Sequence, residues 1–395
     1  MTQTILTPTA VTRKAMQILH GKLVLAKKVN RQYDSSFAQS GAKIGSELKI
    51  RKPNRYTVRT GKTLQAQDTS ESSETLTVAT QVGVDTTFST AELTMSIDDF
   101  SERILEPGMA VVAANIENAI AAQYVNVPNL VGTAGTTPGN MLTVLQAGAR
   151  LDDNLVPRDG KRCIALSPIA MATMVDGYKG LFQNDGKISQ QFDNGMIRDI
   201  ASGFNWGMCP VINSHTMSAG TVTGITVDND TVASGDTTVT VTTTTTAMAA
   251  GTIVTFAGCY AINPETRAAL PHLRQWVIAS ATATVLTLTE AITTSGANQN
   301  CSAVPNSTGA VTFVGSASTS YPQNLAFHRD WLALVTADLE DVSKFGAWGA
   351  REVYDGISMR VARQYDINSD NLPCRIDVLY GVKQLRGELA VRITG

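Results

Sequence analysis

Four histidines, His20, His215, His272 and His328, are the side chains of this 395-residue chain best suited to acid–base work near neutral pH, and they are scattered along it. His328 follows Ala326-Phe327 and reads as a core or interface histidine. Two carboxylate pairs, Asp98-Asp99 and Asp152-Asp153, are the other candidates for acid–base chemistry. Side chains of adjacent residues point apart, and Asp98-Asp99 stand before a helix, where first-turn acids are favoured by the helix dipole. No GxSxG elbow, GxxxxGK phosphate loop, HExxH zinc motif or GxGxxG fingerprint occurs. The five cysteines, Cys163, Cys209, Cys259, Cys301 and Cys374, are too widely spaced for a CxxC pair, and an odd number argues against a disulfide framework. They read as buried thiols, and the expectation is a chain without catalytic, cofactor-binding or metal-binding residues.

Charge, by contrast, is concentrated. Residues 1–62 hold thirteen Lys or Arg against Asp34 and Glu47, a net +11, which leaves −13 on the remainder. This basic segment suits an acidic partner or acidic surface on a neighbouring copy; the alternative is a solvated basic face. With 43% hydrophobic residues the chain buries a real core, and only 17% are charged, which suits a protein whose faces are covered by neighbours. The opening MTQTILTPTAVTRK lacks the order of a secretory signal, and no stretch approaches 18 uninterrupted apolar residues. A soluble protein made in the cytoplasm, without a membrane partner, is expected.

The elements that must position these charges follow from periodicity. Residues 11–28 place Ala15, Ile18, Leu19 and Leu23 near helical spacing among Lys and Arg, which predicts a basic amphipathic arm. Residues 44–59 alternate Leu48, Ile50, Tyr56 and Val58 against Lys49, Arg51, Arg55 and Arg59, with Pro53 interrupting; residues 76–88 alternate again. Together they predict a long two-stranded ribbon with an acidic tip carrying Asp68, Glu71 and Glu74. A lone ribbon is marginal in water, so it lies on a neighbour or on its own domain. Met109, Val112, Ile116, Ile120 and Tyr124 predict a helix over 107–125, with Pro107 in its first turn.

Residues 130–213 read as mixed α/β. Between Ser214 and Ser320 there are two bases, Arg267 and Arg274, against five acids, and Thr dominates. Six short β-type runs (221–227, 237–246, 251–258, 274–280, 283–292, 309–315) predict a small antiparallel barrel inserted into the surrounding domain. The α/β pattern then resumes with NLAFHRDWLALVTADLE and ends in two strand-like runs, CRIDVLYGVKQ and RGELAVRI.

Seven segments in order carry a resemblance: KIGSELKIRKPNR, SERILEPGMAVVAANIENAI, VPRDGKRCIALSP, GFNWGMCPVINSHT, AGTIVTFAGCYAINPET, NLAFHRDWLALV, and the tail from MRVARQYDINSDNLPCRIDVLY to the end. The chain resembles coat proteins of the P22 type, within the HK97-like, α+β fold of tailed-phage major capsid proteins. The resemblance implies an N-terminal arm (1–40), an extended loop (41–90), a peripheral domain with a spine helix (91–129 and 373–395), an axial domain (130–213 and 323–372) and an inserted six-stranded antiparallel β-barrel (214–322). It implies a major capsid protein that self-assembles into pentamers and hexamers of an icosahedral shell enclosing double-stranded phage DNA on its inner face. Scaffolding protein and portal are the other implied partners, and the place is the virion capsid after assembly in the host cytoplasm.

Lys49, Arg51, Lys52, Arg55, Arg59, Asp68, Glu71 and Glu74 of the extended loop are then candidates for subunit contact. Asp228, Asp230 and Asp236 join them, because residues 228–246 match a family loop that joins capsomers across two-fold axes; here that loop carries no Lys or Arg. Gly41, Pro107 and Gly108 are hinge candidates. Some relatives of the fold cross-link a loop lysine to an asparagine, for which Lys49, Lys52 or Lys62 with Asn368 or Asn371 would serve, but the branch resembled does not cross-link. The alternative function, suggested by the Thr-rich run, is a β-rich tail, decoration or adhesin protein.

Overall fold

The computed structural model describes residues 8–31, 46–64, 66–67, 73–89, 104–178, 197, 200–220, 222–228, 232–242, 244, 246–339, 342–367 and 371–395. Asp68, Glu71, Asp230, Gly41 and Asn368, as well as the Asp98-Asp99 pair, lie outside them. The chain forms two compact units, one of Met1–Ile50, Ser73–Ile120 and Leu332–Lys383, the other of Arg51–Ser72, Ala121–Trp331 and Gln384–Gly395.

The first unit is built on a six-stranded sheet. Its path runs Asn30–Arg31, Leu332–Ala337, Asn371–Gln384, Ile357–Arg363 and Trp348–Tyr354, and Thr80–Ser89 also pairs with Asn371–Gln384. The hairpin of Trp348–Tyr354 and Ile357–Arg363 turns on Asp355-Gly356, whose φ values of 50° and 75° put both residues in the left-handed region that a two-residue hairpin turn of this hand requires. The arm is a helix over Pro8–Lys22 followed by a short one over Leu25–Lys28, with Val11, Ala15, Met16, Leu19 and Leu23 buried against the hairpin side of the unit. A helix over Glu106–Ala121 buries the predicted stripe of Met109, Val112, Ile116 and Ile120. Pro107 sits in its first turn.

The ribbon departs from expectation. Ser46–Arg51 does pair with Ser73–Val78, but it stops at Arg51, and Tyr56 and Val58 belong to no strand. Pro53 supplies no ladder donor and ends the pairing. Beyond Val78 the chain leaves the ribbon, because Thr80–Ser89 has a longer partner: its ladder with Asn371–Gln384 runs from Thr80 opposite Tyr380 to Ser89 opposite Asn371. Gly83 allows this pairing. A Cβ there would run into the Ile376 carbonyl oxygen and lie 2.5 Å from a carboxylate oxygen of Asp377, which is buried between Arg360 and Arg375 at 2.8 Å each.

The second unit holds another six-stranded sheet, in the order Asn129–Val131, Ala390–Ile393, Asn324–His328, Arg162–Leu166, Phe204–Met208, Ile200–Ala201. Helices Met141–Asp153 and Pro168–Tyr178 accompany it, the former capped by Asn140, whose side chain accepts the Thr143 N–H at 3.0 Å. The span between Ser214 and Pro322 begins and ends in one short ladder, Ser214–Thr216 against Ser320–Pro322. Within it lies a five-stranded antiparallel sheet in the order Thr238–Thr240, Val285–Leu288, Ala269–Ala281, Ile253–Ile262, Val311–Phe313. Residues 225–228 bond to both edges: the Val311 N–H to the Ile225 carbonyl at 2.9 Å, and the Asp228 N–H to the Thr240 carbonyl at 3.0 Å. Val239, Val241, Val254, Phe256, Ile278, Leu286, Leu288, Val311 and Phe313 form one buried cluster, while Ile253 and Val277, opposite each other in register, are buried outside it. Val285 is only half-buried.

Candidate subunit-contact surface

The basic arm finds acids within its own unit. Arg13 reaches Glu352 at 3.2 Å, and the carboxylate of Asp355, at the hairpin turn, accepts from His20 at 2.7 Å and from Arg31 at 2.5 Å. Burial pushes the Asp355 carboxyl up, but the bonds from His20 and Arg31 outweigh it and hold it below the ordinary carboxylate range. The Asp-Gly pair that makes the turn thus also places the acid that fixes the arm. A second anchor comes from Glu117, on the buried face of the helix that contains Pro107. Its carboxylate accepts the backbone N–H groups of Val24, Leu25 and Ala26 at 3.0, 2.7 and 3.0 Å. Sequence periodicity does not single Glu117 out, since a glutamate in a helix is ordinarily solvated.

The extended loop behaves differently. Past Arg51 its backbone is held by local bonds: the Gln67 side chain accepts the Thr57 N–H at 2.8 Å and donates to the Thr57 carbonyl at 2.6 Å, and Arg59 donates to the carbonyls of Gly61 and Thr63. Those bonds leave Tyr56, Val58 and Leu64 with 58%, 91% and 82% of their surface exposed. Water is a poor solvent for three such side chains on one short segment. Of the predicted contact residues, Lys49 and Arg51 are exposed and Lys52 half-buried. Arg55 is committed within the chain, to Glu388 at 2.7 Å, where Arg386 also binds at 2.9 Å. Burial pushes Glu388 up, and Arg55 and Arg386 more than offset it, holding its carboxyl below the usual range. Glu74 faces Lys383 at 3.7 Å.

Asp228 is exposed in the insertion, and Asp236 accepts the Ala233 N–H at 2.7 Å, stabilising its own turn. Of the hinge candidates, Pro107 is exposed and Gly108 buried, its missing side chain facing Val84.

One buried cation has no counterpart in the sequence reading. Arg392, in the C-terminal strand, is 1% exposed and donates to the carbonyls of Val127 at 2.9 Å and Gly251 at 2.7 Å while its guanidinium lies 5.2 Å from the Tyr124 ring centroid. It therefore ties the insertion to the sheet beneath. Beside it His215 lies between the Tyr124 hydroxyl at 3.3 Å and the Thr252 hydroxyl at 3.1 Å; burial, aided by Arg392, lowers its pKa to about 4. His328, buried as expected, meets Asp159 at 3.1 Å. Among the described residues no group of acids, histidines and cysteines is placed to hold a metal ion, and no helix is long and apolar enough to cross a membrane.

Comparison with known proteins gives this surface its setting. A solved structure from Mycobacterium phage Che8 aligns over 94% of this chain and 90% of its own, with 12% identity and a TM-score of 0.48. The capsid of cyanophage P-SCSP1u aligns over 90% and 84%, with 11% identity and a TM-score of 0.41, and the virus-like particle from Pyrococcus furiosus over 98% of both chains, with 7% identity and a TM-score of 0.39. No curated protein sequence matches the chain. The model of the P22 coat protein (gene protein 5) family matches residues 3–395. With that match running along almost its whole length, the chain belongs to the P22 coat protein family and is a major capsid protein.

Proposed function

We propose that copies of this chain form pentamers and hexamers that close an icosahedral shell around double-stranded DNA, with the extended loop of each copy laid on its neighbour. The observation that carries this reading is the set of uncovered apolar side chains, Tyr56, Val58 and Leu64, on a loop whose backbone bonds are already satisfied locally. Such a loop is preorganised for a partner and needs little ordering on contact. One heterologous contact repeated around five-fold and six-fold rings closes a shell.

In this reading residues 1–40 are the arm, 41–90 the extended loop, 91–129 with 373–395 the peripheral domain, 130–213 with 323–372 the axial domain, and 214–322 the insertion. The bonds from residues 225–228 to both edges of the five-stranded sheet support a closed six-stranded barrel for the insertion. Its separate buried cluster and the Ser214–Pro322 pairing support a unit that folds on its own. Scaffolding protein and portal are the further partners, DNA lies on the inner face, and assembly takes place in the host cytoplasm. The shell subunit uses no cofactor and does no chemistry of its own.

Sedimentation of the purified chain, with and without Tyr56→Ser, Val58→Ser and Leu64→Ser together, tests the loop's part. The wild-type chain is expected to sediment as large particles and the triple variant as folded small species. A triple variant that still forms particles in wild-type yield refutes the placement of the loop on a neighbour.

A further inference from the structure

Within the second unit, arginines outnumber the acids around them. His272, on the strand Ala269–Ala281, lies 3.8 Å from Asp153 at the end of the helix Met141–Asp153, so one turn of that helix faces this strand. Arg150 precedes Asp153 by three residues and Arg274 follows His272 by two, which puts both guanidiniums on the facing sides. Arg274 pairs with Glu290 at 2.7 Å, yet its Nε is buried without a hydrogen-bond partner. Among the described residues Arg150 has no ion pair at all, although it is partly buried. Glu388 is already shared by Arg55 and Arg386, and Arg267 spends its donors on the carbonyls of Ala297 and Gln299, at 2.6 and 3.2 Å. Five arginines thus stand against Asp153, Glu290 and Glu388.

The surroundings are felt by the side chains themselves. Burial lowers the Arg150 pKa, with Asp153 opposing and Arg274 adding to the effect, and burial followed by Arg55 does the same to Arg267. A partly desolvated guanidinium without an ion-paired carboxylate is unfavourable in an isolated chain and gains once a paired anion is supplied.

We propose that this arginine cluster receives a carboxylate side chain from a second copy of the chain, with Arg150 as the receiving group. The inference rests on the self-assembly reading and adds to it a particular surface. A carboxylate fits better than nucleic acid, because Asp153, Glu290 and Glu388 interleave the arginines and would repel a polyanion with a charge every ~1.7 Å along its axis. The rest of the chain, at −13 beyond residue 62, supplies acids in excess.

The test uses full-length chains carrying Arg150→Ala and Arg150→Lys. The alanine variant should unfold at the wild-type temperature or above it, since it loses an unpaired charge, while the concentration needed for half-assembly rises about tenfold or more; the lysine variant should recover most of that loss. In parallel, an arginine-specific dicarbonyl reagent followed by peptide mass analysis should label Arg150 in unassembled wild-type chains and spare it in empty shells. This second measurement decides the matter even if the variants do not fold. Unchanged assembly by a folded Arg150→Ala chain overturns the proposal, as does equal labelling of chains and empty shells. Protection found only in DNA-filled shells assigns the site to phosphate and overturns it too. Should the wild-type chain form no shells, the self-assembly reading itself falls and this inference with it, an outcome distinct from shells that ignore Arg150.

Discussion

Replacing Glu117 by glutamine is predicted to release the arm without unfolding the molecule. The glutamate is 4% exposed, and its two oxygens accept three backbone N–H groups, from Val24, Leu25 and Ala26. Glutamine keeps one acceptor oxygen but turns an NH2 group toward one or two of those donors. Each charge-assisted bond contributes roughly 1.5–3 kcal/mol, and a buried N–H left without an acceptor costs about 1–3 kcal/mol. Because one oxygen remains, the combined loss should be about 3 kcal/mol. Its effect falls on the local opening of residues 24–26, since the helix that carries Glu117 keeps its own apolar stripe. Native-state hydrogen exchange reads this directly: about 3 kcal/mol corresponds to a rate increase on the order of a hundredfold at these three amides, with amides in Ile357–Arg363 little changed. An increase of less than fivefold at residues 24–26 would refute the assigned role of Glu117.

Other predictions concern stability. His215 is held neutral in the folded chain down to about pH 4, whereas an unfolded histidine takes up its proton near pH 6.5, so its contribution is fully present above about pH 6.5 and is lost as the pH falls toward 4. The loss amounts to about 3 kcal/mol, and the difference in urea stability between wild type and His215→Gln should shrink over that window; parallel pH curves would exclude it. Gly83→Ala should cost roughly 2–4 kcal/mol, because its Cβ meets backbone and a buried carboxylate, and an unchanged melting temperature would contradict the pairing of Gly83 with Asp377. Residues 214–322 expressed alone should unfold cooperatively with a β-type circular dichroism spectrum, and a coil-like fragment would place the insertion's boundaries elsewhere. Asp355→Ala removes the acceptor of His20 and Arg31 and puts alanine at a φ of 50°, so it should destabilise more than Asp355→Asn, which tolerates that backbone; equal effects would mean the turn geometry carries no weight.

What could be read from sequence was what depends on near neighbours. The stripe Met109, Val112, Ile116, Ile120 and the alternation through Val254, Phe256, Leu286 and Leu288 repeat within a few residues, so a helix and the insertion's strands were visible at once. The unbroken alternation of 76–88 concealed a change of partner after Val78, because the strand that Thr80–Ser89 joins lies near the other end of the chain. Pro53 already marked where the ribbon ends. Glu117 and Arg392 were hidden for a common reason: their partners are mostly backbone groups far away in sequence, and a charged residue gives no local sign that it is buried. The candidate acids of the insertion's loop were readable as charges, but the use of Asp236 within its own turn was not.

Self-assembly through the extended loop is tested most directly by an electron-microscopic reconstruction of the particles that the purified chain forms. Closed icosahedral shells of five-fold and six-fold rings are expected, each subunit's density accommodating both compact units and each extended loop crossing to an adjacent subunit. Tubes, dispersed single chains, or shells in which residues 52–64 fold back on their own subunit would contradict that assembly.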